Sequence, residues 1–424
     1  MKVMQTNYKK LGDYIQQVNN RNRDLQVDTL LGVSITKKLI PSIANTIGTD
    51  MSAYKIIEKG QFAYGTVTSR NGDKISIALS NEYEKALVSQ IYIVFEVIDK
   101  NKLLPEYLML WFSRPEFDRY ARYHSHGSTR ESFDWEDMCN VELPIPSVEK
   151  QREIVAQYQA VANKIQVNEQ ICEQLEATAQ TLYKQWFVDF EFPNEEGKPY
   201  KSSGGAMVFN EELEKEIPEG WEVKSLNELT LDTLGGDWGK ENIEGNYTSK
   251  VLCIRGTDIP SLKKADKNGM PLRYILNKNL LNRKLQEGNI VIEISGGSPI
   301  QSTGRSLLLD KNIINFVKED IICSNFCRII TINKDFEIVY NYELQRNYDS
   351  GLFFTYENSS NGVKNLALND LLIDLKIAFE KEYVNKINDI ILKIRNHNFT
   401  IAKQNYYLIQ LQSLLLSRLA TLEG

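Results

Sequence analysis

Two stretches of the chain place apolar residues at alternating steps of four and three. These steps define a period of 3.5 residues, which is typical of the seam of a left-handed coiled coil. Neither stretch contains Pro or Gly between its first and last seam position, so each is predicted to form one unbroken helix. The seam positions are Ile154, Tyr158, Val161, Ile165, Asn168, Cys172, Leu175, Ala179, Leu182 and Trp186 in the first, and Tyr383, Ile387, Ile390, Ile394, His397, Ile401, Gln404, Leu408, Leu411 and Leu415 in the second.

Each predicted helix carries a polar residue at the same place in its seam, Asn168 in the first and His397 in the second. Such a residue sets the register of pairing at some cost in stability; the alternative is a frayed or partly hydrated seam. A long stretch without heptads separates the two helices, which excludes a solenoid of short contiguous repeats. We therefore expect the two helices to pair with each other. An antiparallel pair is favoured because it would close a pseudo-symmetric ring.

The sequence ahead of each helix also repeats. Short apolar segments bounded by polar loops that contain Gly predict compact, mostly β units. The matched segments are 30–33 with 251–254, 59–64 with 287–292, and 88–97 with 322–332, and the matched loops are 68–72 with 295–298 and 126–130 with 361–364.

The predicted fold class is therefore α+β, with two mostly β globular domains, two long helices paired as an antiparallel coiled coil, and an internal pseudo-twofold repeat. The expected boundaries are 1–148 for the first domain, 149–190 for the central helix, 191–217 for a linker rich in Gly, Ser, Lys and acidic residues, 218–379 for the second domain, and 380–424 for the C-terminal helix.

Composition narrows the classes of protein. The 424 residues contain five scattered cysteines and three histidines, which argues against a disulfide scaffold and a zinc site. No apolar run approaches the ~20 residues of a membrane span, and the polar start lacks a secretory signal, so we expect a cytoplasmic protein that does not bind membranes. We find neither a phosphate-binding loop nor the motif of amino-methyltransferases, so no catalytic residue is predicted.

Three motifs in order resemble the specificity subunit of type I restriction–modification systems. They are Leu143-Pro144-Ile145-Pro146 before a helix that contains Gln151, the segment 182–190 that closes this helix, and Ile217-Pro218-Glu219-Gly220-Trp221-Glu222-Val223 at the start of the second domain. The chain departs from the family pattern in two places. The first domain opens without Pro-x-Gly-Trp, and the second long helix lacks the preceding Leu-Pro-x-Pro.

The resemblance implies a non-catalytic DNA reader. Two target-recognition domains would each bind one half of a bipartite, asymmetric site in double-stranded DNA, held at a fixed separation by the paired helices. The helices would dock two methylation subunits, and restriction subunits would join this core. S-adenosylmethionine, ATP and magnesium would then be bound by the partner subunits, with no cofactor on this chain.

Base reading uses Arg, Lys, Asn, Gln, Ser and Thr near groove edges, and the matched loops are rich in these types. For each such residue the alternative is a solvated turn side chain. The predicted DNA-binding residues are Ser69, Arg70, Asn71, Ser128, Thr129 and Arg130 in the first domain, and Arg255, Ser295, Gln301, Ser302, Thr303, Arg305 and Lys364 in the second.

Charge leaves another function open. The net charge is −6, and residues 1–149 carry 18 basic against 19 acidic side chains, so the chain lacks the basic excess of most free-standing DNA-binding proteins. One alternative is a coiled-coil scaffold whose β-rich domains bind protein or glycan ligands without any role for DNA. Another is an inactive relative that keeps the fold. Co-purification with methylation subunits would distinguish these hypotheses.

Overall fold

The computed structural model describes residues 8–42, 48–69, 71–127, 130–360 and 363–421. The chain divides into two compact units. Unit 1 comprises residues 1–165 together with 408–424, and unit 2 comprises residues 166–407. Each long helix therefore contributes one part to each unit, whereas the sequence analysis had treated the helices as separate from the globular domains.

In unit 1, nine of the ten described strands precede three short α-helices, and the tenth strand follows them. Pro105 and Pro115 occupy the first turns of two of these helices, where the missing N–H costs nothing. The elements are β1 (Tyr8–Lys10), β2 (Ile15–Val18), β3 (Leu30–Val33), β4 (Leu39–Pro41), β5 (Lys55–Glu58), β6 (Phe62–Gly65), β7 (Ile77–Leu79), β8 (Lys85–Val88), β9 (Tyr92–Val97), α1 (Pro105–Phe112), α2 (Pro115–Tyr123), α3 (Trp135–Cys139) and β10 (Glu142–Pro144). The long helix α4 (Val148–Phe187) follows.

These strands form two four-stranded sheets and one two-stranded ribbon. The sheets have the orders β2-β9-β6-β7 and β4-β3-β8-β5, and β1 pairs with β10. The pairing is antiparallel except between β3 and β8. Stacked Phe62 and Phe95 lie in the core between the first sheet and α1.

Unit 2 alternates strands and short helices. Its helix α5 begins with a capping box, in which Ser225 and Glu228 each bond the other's backbone N–H. The elements are β11 (Met207–Asn210), β12 (Lys215–Pro218), β13 (Glu222–Ser225), α5 (Leu226–Leu229), β14 (Thr230–Gly235), β15 (Tyr247–Ile254), α6 (Ile259–Lys263), β16 (Leu272–Leu276), α7 (Asn277–Arg283), β17 (Ile290–Glu293), β18 (Ser295–Gly296), β19 (Ser306–Leu308), α8 (Lys311–Val317), β20 (Ile321–Cys323), β21 (Cys327–Ile332), α9 (Glu337–Asp349), β22 (Glu357–Ser360), β23 (Val363–Leu366), α10 (Leu368–Asp374), β24 (Lys376–Phe379) and the long helix α11 (Lys381–Arg418).

The strand topology of unit 2 repeats that of unit 1. The sheet β14-β21-β17-β19 has the chain order of β2-β9-β6-β7, and the sheet β16-β15-β20 matches β4-β3-β8, including one parallel pair. The ribbon of β13 with β24 matches that of β1 with β10, and each ribbon leads directly into a long helix. The predicted internal repeat and the α+β class are therefore confirmed. The second long helix lacks the preceding Leu-Pro-x-Pro motif, yet strand β24 lies ahead of it as β10 lies ahead of the first. The motif therefore differs in sequence, while the position of the strand is the same.

The segment 191–217 was predicted to be a linker, and this interpretation was wrong. Strands β11 and β12 form an antiparallel hairpin there. Phe192 and Ile217 are buried in the core of unit 2, where Phe192 stacks on Trp221 with ring centroids 4.9 Å apart. Composition misled the prediction because a few buried aromatic side chains anchor an otherwise polar segment.

Within unit 2 the long helices α4 and α11 run antiparallel. Asn168 lies against Gln404 and Asn405, Cys172 lies against Asn398, and Trp186 packs on Tyr383. Residue numbers on α11 thus fall as those on α4 rise, which confirms the predicted antiparallel pairing. Within unit 1, Leu416 from α11 and Leu419, just after its end, belong to the buried cluster against which Ile154 and Tyr158 of α4 pack.

The predicted seam positions differ between the two helices. All ten on α4 are buried or half-buried. On α11, six of the ten are buried or half-buried, namely Tyr383, Ile387, Ile394, Ile401, Leu408 and Leu415, but Ile390, His397, Gln404 and Leu411 are exposed. The residues that are buried or half-buried in their place lie one position later: Ile391, Asn398, Asn405 and Gln412. His397 is therefore not the polar partner in the seam, and this part of the prediction was wrong.

Candidate nucleic-acid interface

In unit 1, two loops that were predicted to bind DNA lie side by side. One loop joins β6 to β7 and the other follows α2. The backbone N–H of Thr68 donates to the carbonyl of Glu131 at 3.0 Å, and the Thr68 hydroxyl donates to Ser125 Oγ at 2.9 Å. The N–H of Phe133 donates to the carbonyl of Thr66 at 2.8 Å. Residues separated by about 60 positions in the sequence therefore share one surface.

Ser69 and Arg130 have exposed side chains on this surface, and Asn71 is half-buried. The side-chain amide of Asn71 donates to the carbonyl of Val67 at 3.2 Å, which fixes the turn. Gly127 adopts a positive φ of 128°, and a Cβ there would lie 2.3 Å from the carbonyl oxygen of Arg130. Arg70, Ser128 and Thr129 lie outside the described residues.

Unit 2 brings its two predicted loops together in the corresponding place. Strand β18, just after β17, pairs with β23, so that Ser295 lies opposite Asn365 and Gly296 opposite Lys364. The Ser295 hydroxyl donates to Asn365 Oδ1 at 2.6 Å. The ammonium group of Lys364 donates to the carbonyl of Ser298 at 3.0 Å. The loop between β18 and β19 is therefore held against the hairpin of β22 and β23.

Glu357 forms the polar anchor of this contact. Its carboxylate accepts hydrogen bonds from Lys364 Nζ and from the backbone N–H of Thr303, each at 2.6 Å. Burial alone would raise the pKa of Glu357, but the bonds from Lys364 and Thr303 outweigh this effect and lower it. Lys364 is thus committed to an internal ion pair, although about a quarter of its side chain remains exposed.

Three of the residues in this loop that were predicted to contact DNA are buried or half-buried. Ser302 and Thr303 are buried, and Arg305 forms a two-pronged ion pair with buried Glu293, at 2.9 Å and 2.6 Å. These hydrogen bonds raise the pKa of Arg305. Ser302, Thr303 and Arg305 were predicted to bind DNA, and their burial and internal contacts argue against direct base reading by these three side chains. Gln301, in contrast, is exposed.

Arg255 follows β15 and is also held internally. Its guanidinium donates to both carboxylate oxygens of Asp258, at 2.9 Å and 2.8 Å, and to the carbonyl of Gly269 at 2.7 Å. These contacts to Asp258 raise the pKa of Arg255. Its side chain is still partly exposed, so the prediction that it contacts DNA remains a prediction.

Two exposed side chains on these surfaces were missed by the sequence analysis. Tyr123 is 83% exposed near the end of α2, and Ile300 is 93% exposed in the loop between β18 and β19. The search for base-reading residues considered polar and charged side chains in the loops. It therefore passed over an aromatic residue on a helix and an apolar residue in a loop.

The described residues contain no group of three or more His, Cys, Asp or Glu side chains that could hold a metal ion. Burial raises the pKa of the Cys327 thiol to about 12 and that of Cys323 above its ordinary value. Both thiols are therefore held in their neutral form at physiological pH.

Among the helices of the described part of the chain, none is long and apolar enough to cross a membrane.

Comparison with known proteins finds sequence similarity over part of the chain. Residues 37–177 match the family described as the type I restriction modification DNA specificity domain. The chain is 37% identical over 173 residues to the type I restriction enzyme MjaIX specificity subunit of Methanocaldococcus jannaschii, covering 38% of each chain. It is 31% identical over 151 residues to the HindI specificity subunit of Haemophilus influenzae, covering 35% of this chain and 32% of that relative. These matches thus span well under half the length of the curated relatives.

A solved structure resembles the whole chain. The type I restriction–modification S subunit from M. genitalium matches with a TM-score of 0.53 at 11% identity, covering 100% of this chain and 99% of the other. At this identity the match shows the fold alone.

Proposed function

We propose that this chain is a specificity subunit of a type I restriction–modification system, which recognises double-stranded DNA and performs no catalysis itself. The observation that carries the proposal is the pair of loops that each unit brings together at the same place in its topology. In both units the segment that follows the third strand in the order of the four-stranded sheet, β6 in unit 1 and β17 in unit 2, contacts a second segment from much later in the sequence. Such paired loops offer polar side chains from two segments to one groove.

The proposed target is bipartite and asymmetric. The strand orders of the two units correspond, so each offers an equivalent reading surface. The loops differ, however: residues 68–72 are Thr-Ser-Arg-Asn-Gly, whereas residues 295–298 are Ser-Gly-Gly-Ser. Different side chains at equivalent places select different base pairs. Each unit would therefore read its own half-site, and the paired helices would set the gap between them.

We further propose that the long helices dock two methylation subunits and that restriction subunits join this core. Exposed apolar side chains on both helices support a protein partner, including Val167 on α4 and Leu392 and Leu414 on α11. S-adenosylmethionine, ATP and magnesium would be bound by those partners.

The balance of charge indicates that DNA binding depends on the partners. Residues 1–149 carry nearly equal numbers of basic and acidic side chains. Affinity for DNA rises with the number of phosphates that a protein neutralises. We therefore expect weak, salt-sensitive binding by the chain alone and tight binding once methylation subunits are added. Gel-shift titrations at several salt concentrations would measure both. Nanomolar specific binding by the isolated chain would contradict this expectation.

The decisive experiment is sequencing of modified bases in the source organism with and without this chain. Loss of adenine methylation at one interrupted sequence would support the proposal and identify the target. An unchanged methylome, together with co-purified partners that include no methyltransferase, would favour the scaffold hypothesis.

A point variant can connect the interface to that target. Arg130 is exposed on the unit 1 surface, and Arg23 is an exposed arginine of the same unit between β2 and β3. Arg130→Ala should weaken specific binding by the assembled complex five- to a hundredfold, the range of one good base contact. Arg23→Ala removes the same charge outside the loops and should change binding less than twofold. Equal effects of the two variants would mean that Arg130 makes no base contact.

A further inference from the structure

We infer that Ile300 reads a thymine methyl group in the half-site of unit 2, an inference that rests on the proposed function. Ile300 is 93% exposed, more than any other large apolar side chain in the described part of unit 2. It lies in the loop between β18 and β19, among the polar residues of the candidate interface. The inference follows from how the loop is built and from the chemistry of the groove that it would enter.

A tight turn presents Ile300. The backbone N–H of Ser298 donates to the carbonyl of Gln301 at 2.7 Å, and the N–H of Gln301 donates back to Ser298 Oγ at 3.0 Å. Pro299 and Ile300 occupy the two positions between them. The proline fixes one backbone angle of this turn in advance. Presenting Ile300 to a ligand therefore costs little conformational entropy.

The base of the loop is equally constrained. Gly296 adopts a φ of 149°, and a Cβ there would lie 2.6 Å from Glu293 Oε1. Gly304 adopts a φ of 121°, and a Cβ there would lie 2.2 Å from the Phe353 ring. Lys364 holds the loop from the side through the carbonyl of Ser298. The loop is thus fixed at both ends and in the middle.

This shape suits the major groove of DNA. The groove is wide enough to admit secondary-structure elements of a protein. Strand β18 forms the edge of a three-stranded sheet with β23 and β22, and the turn that presents Ile300 follows this edge strand directly. Among the edges of the bases in this groove, the apolar group is the C5-methyl of thymine. The isoleucine in this turn has no polar side-chain atom to offer, so contact with this methyl is the sequence-dependent interaction open to it.

The two units differ in this respect. The loop between β6 and β7 of unit 1 also contains apolar residues, but Val67 is 39% exposed and Ile75 is buried, against 93% for Ile300. The inference therefore concerns the half-site of unit 2. Removal of a thymine methyl there should weaken binding through Ile300.

The test uses the full chain assembled with its methylation subunits and the target duplex identified from the methylome. Each thymine of the two half-sites is replaced in turn by uracil, which removes only the methyl. In one half-site, at least one replacement should raise the dissociation constant about fourfold, the effect of one buried methyl. Ile300→Ala should weaken binding to the thymine duplex about tenfold, and uracil at that position should then cause no further loss.

Ile243→Ala is the matched control, because Ile243 is an exposed isoleucine of unit 2 between β14 and β15, outside both loops. This variant should bind normally and keep the fourfold loss on uracil. Undiminished uracil sensitivity in Ile300→Ala would overturn the inference, as would insensitivity of the unaltered complex to every uracil. A complex of Ile300→Ala that fails to assemble on size exclusion would also overturn it by assigning Ile300 to a protein contact. Failure of the unaltered complex to bind its target would instead refute the proposed function.

Discussion

Asn168 provides a direct test of how the two long helices are matched. Its side chain is 1% exposed in the seam, and its amide Nδ2 donates to Gln404 Oε1 at 2.9 Å and to Asn405 Oδ1 at 2.8 Å. A hydrogen bond within a protein contributes about 0.5–1.5 kcal/mol net. Asn168→Ala removes the donor of both bonds and should therefore weaken the helix pair by about 1–3 kcal/mol.

The matched control is Asn163→Ala on the same helix. Asn163 is exposed, and its Oδ1 accepts a bond from Gln159 at 2.6 Å. Both variants gain the same helix propensity, about 0.5 kcal/mol, when Asn becomes Ala. The difference between them therefore isolates the buried contact. Asn163→Ala should change stability by no more than about 0.5 kcal/mol.

Hydrogen exchange of the α4 amides between residues 161 and 175 is the appropriate assay. A chain of two units has no single free energy of unfolding, whereas exchange reports the opening of each segment. Loss of 1–3 kcal/mol should accelerate exchange by between about fivefold and about 150-fold in Asn168→Ala relative to Asn163→Ala. Equal exchange in the two variants would show that the buried amide contributes nothing to pairing.

Three further predictions concern the loops and the long helices. Because the pKa of Glu357 is lowered, its contribution to stability is present above its usual pKa near 4.5 and is lost as pH falls through the lowered value. Protection of the β23 amides, measured relative to their intrinsic exchange rate at each pH, should therefore fall in acid in the unaltered chain but not in Glu357→Gln, which should be weakly protected at every pH. Gly304→Ala should lower the melting temperature more than Gly220→Ala, since both have positive φ but only the first places a Cβ against Phe353, and equal shifts would contradict this reasoning. Inserting seven residues into both α4 and α11 adds about 10 Å, so the gap in the methylated target should grow by about 3 base pairs, and an unchanged gap would refute the idea that the helices set the spacing.

The internal repeat could be predicted from sequence because it leaves its mark in several independent places. The strand segments 30–33 and 251–254 were identified from apolar runs between polar loops, and both lie in strands that pair in parallel with a later strand. Strand order was beyond the sequence, since pairing across the chain depends on contacts that periodicity does not encode. The hairpin of β11 and β12 was missed for a similar reason: Ile217 of β12 is buried in a cluster with Phe192 and Trp221, and this contact is not visible in the polar composition of the segment.

The exposed positions on α11 show where heptad counting fails. Starting from Ile387, a step of three followed by four leads through Ile390 to Ile394, and a step of four followed by three leads through Ile391 to the same residue. Ile387 and Ile394 therefore fit both series. Between them either Ile390 or Ile391 could face the partner, and the sequence does not distinguish two isoleucines. The helix also buries a second face, because Phe399 and Ala402 pack into a cluster of unit 2. Apolar residues on two faces blur the period of the seam.

The same shift changes the interpretation of the polar seam residue. If the repeat is aligned one residue further along, the counterpart of Asn168 becomes Asn398 in place of His397. Asn398 is indeed turned toward the partner helix, where its side-chain amide donates to the carbonyl of Cys172 at 3.2 Å. Each helix thus contributes an asparagine that bonds across the seam. Because a slip of the register would bury these amides without their partners, the two asparagines together favour one alignment of the helices over its neighbours.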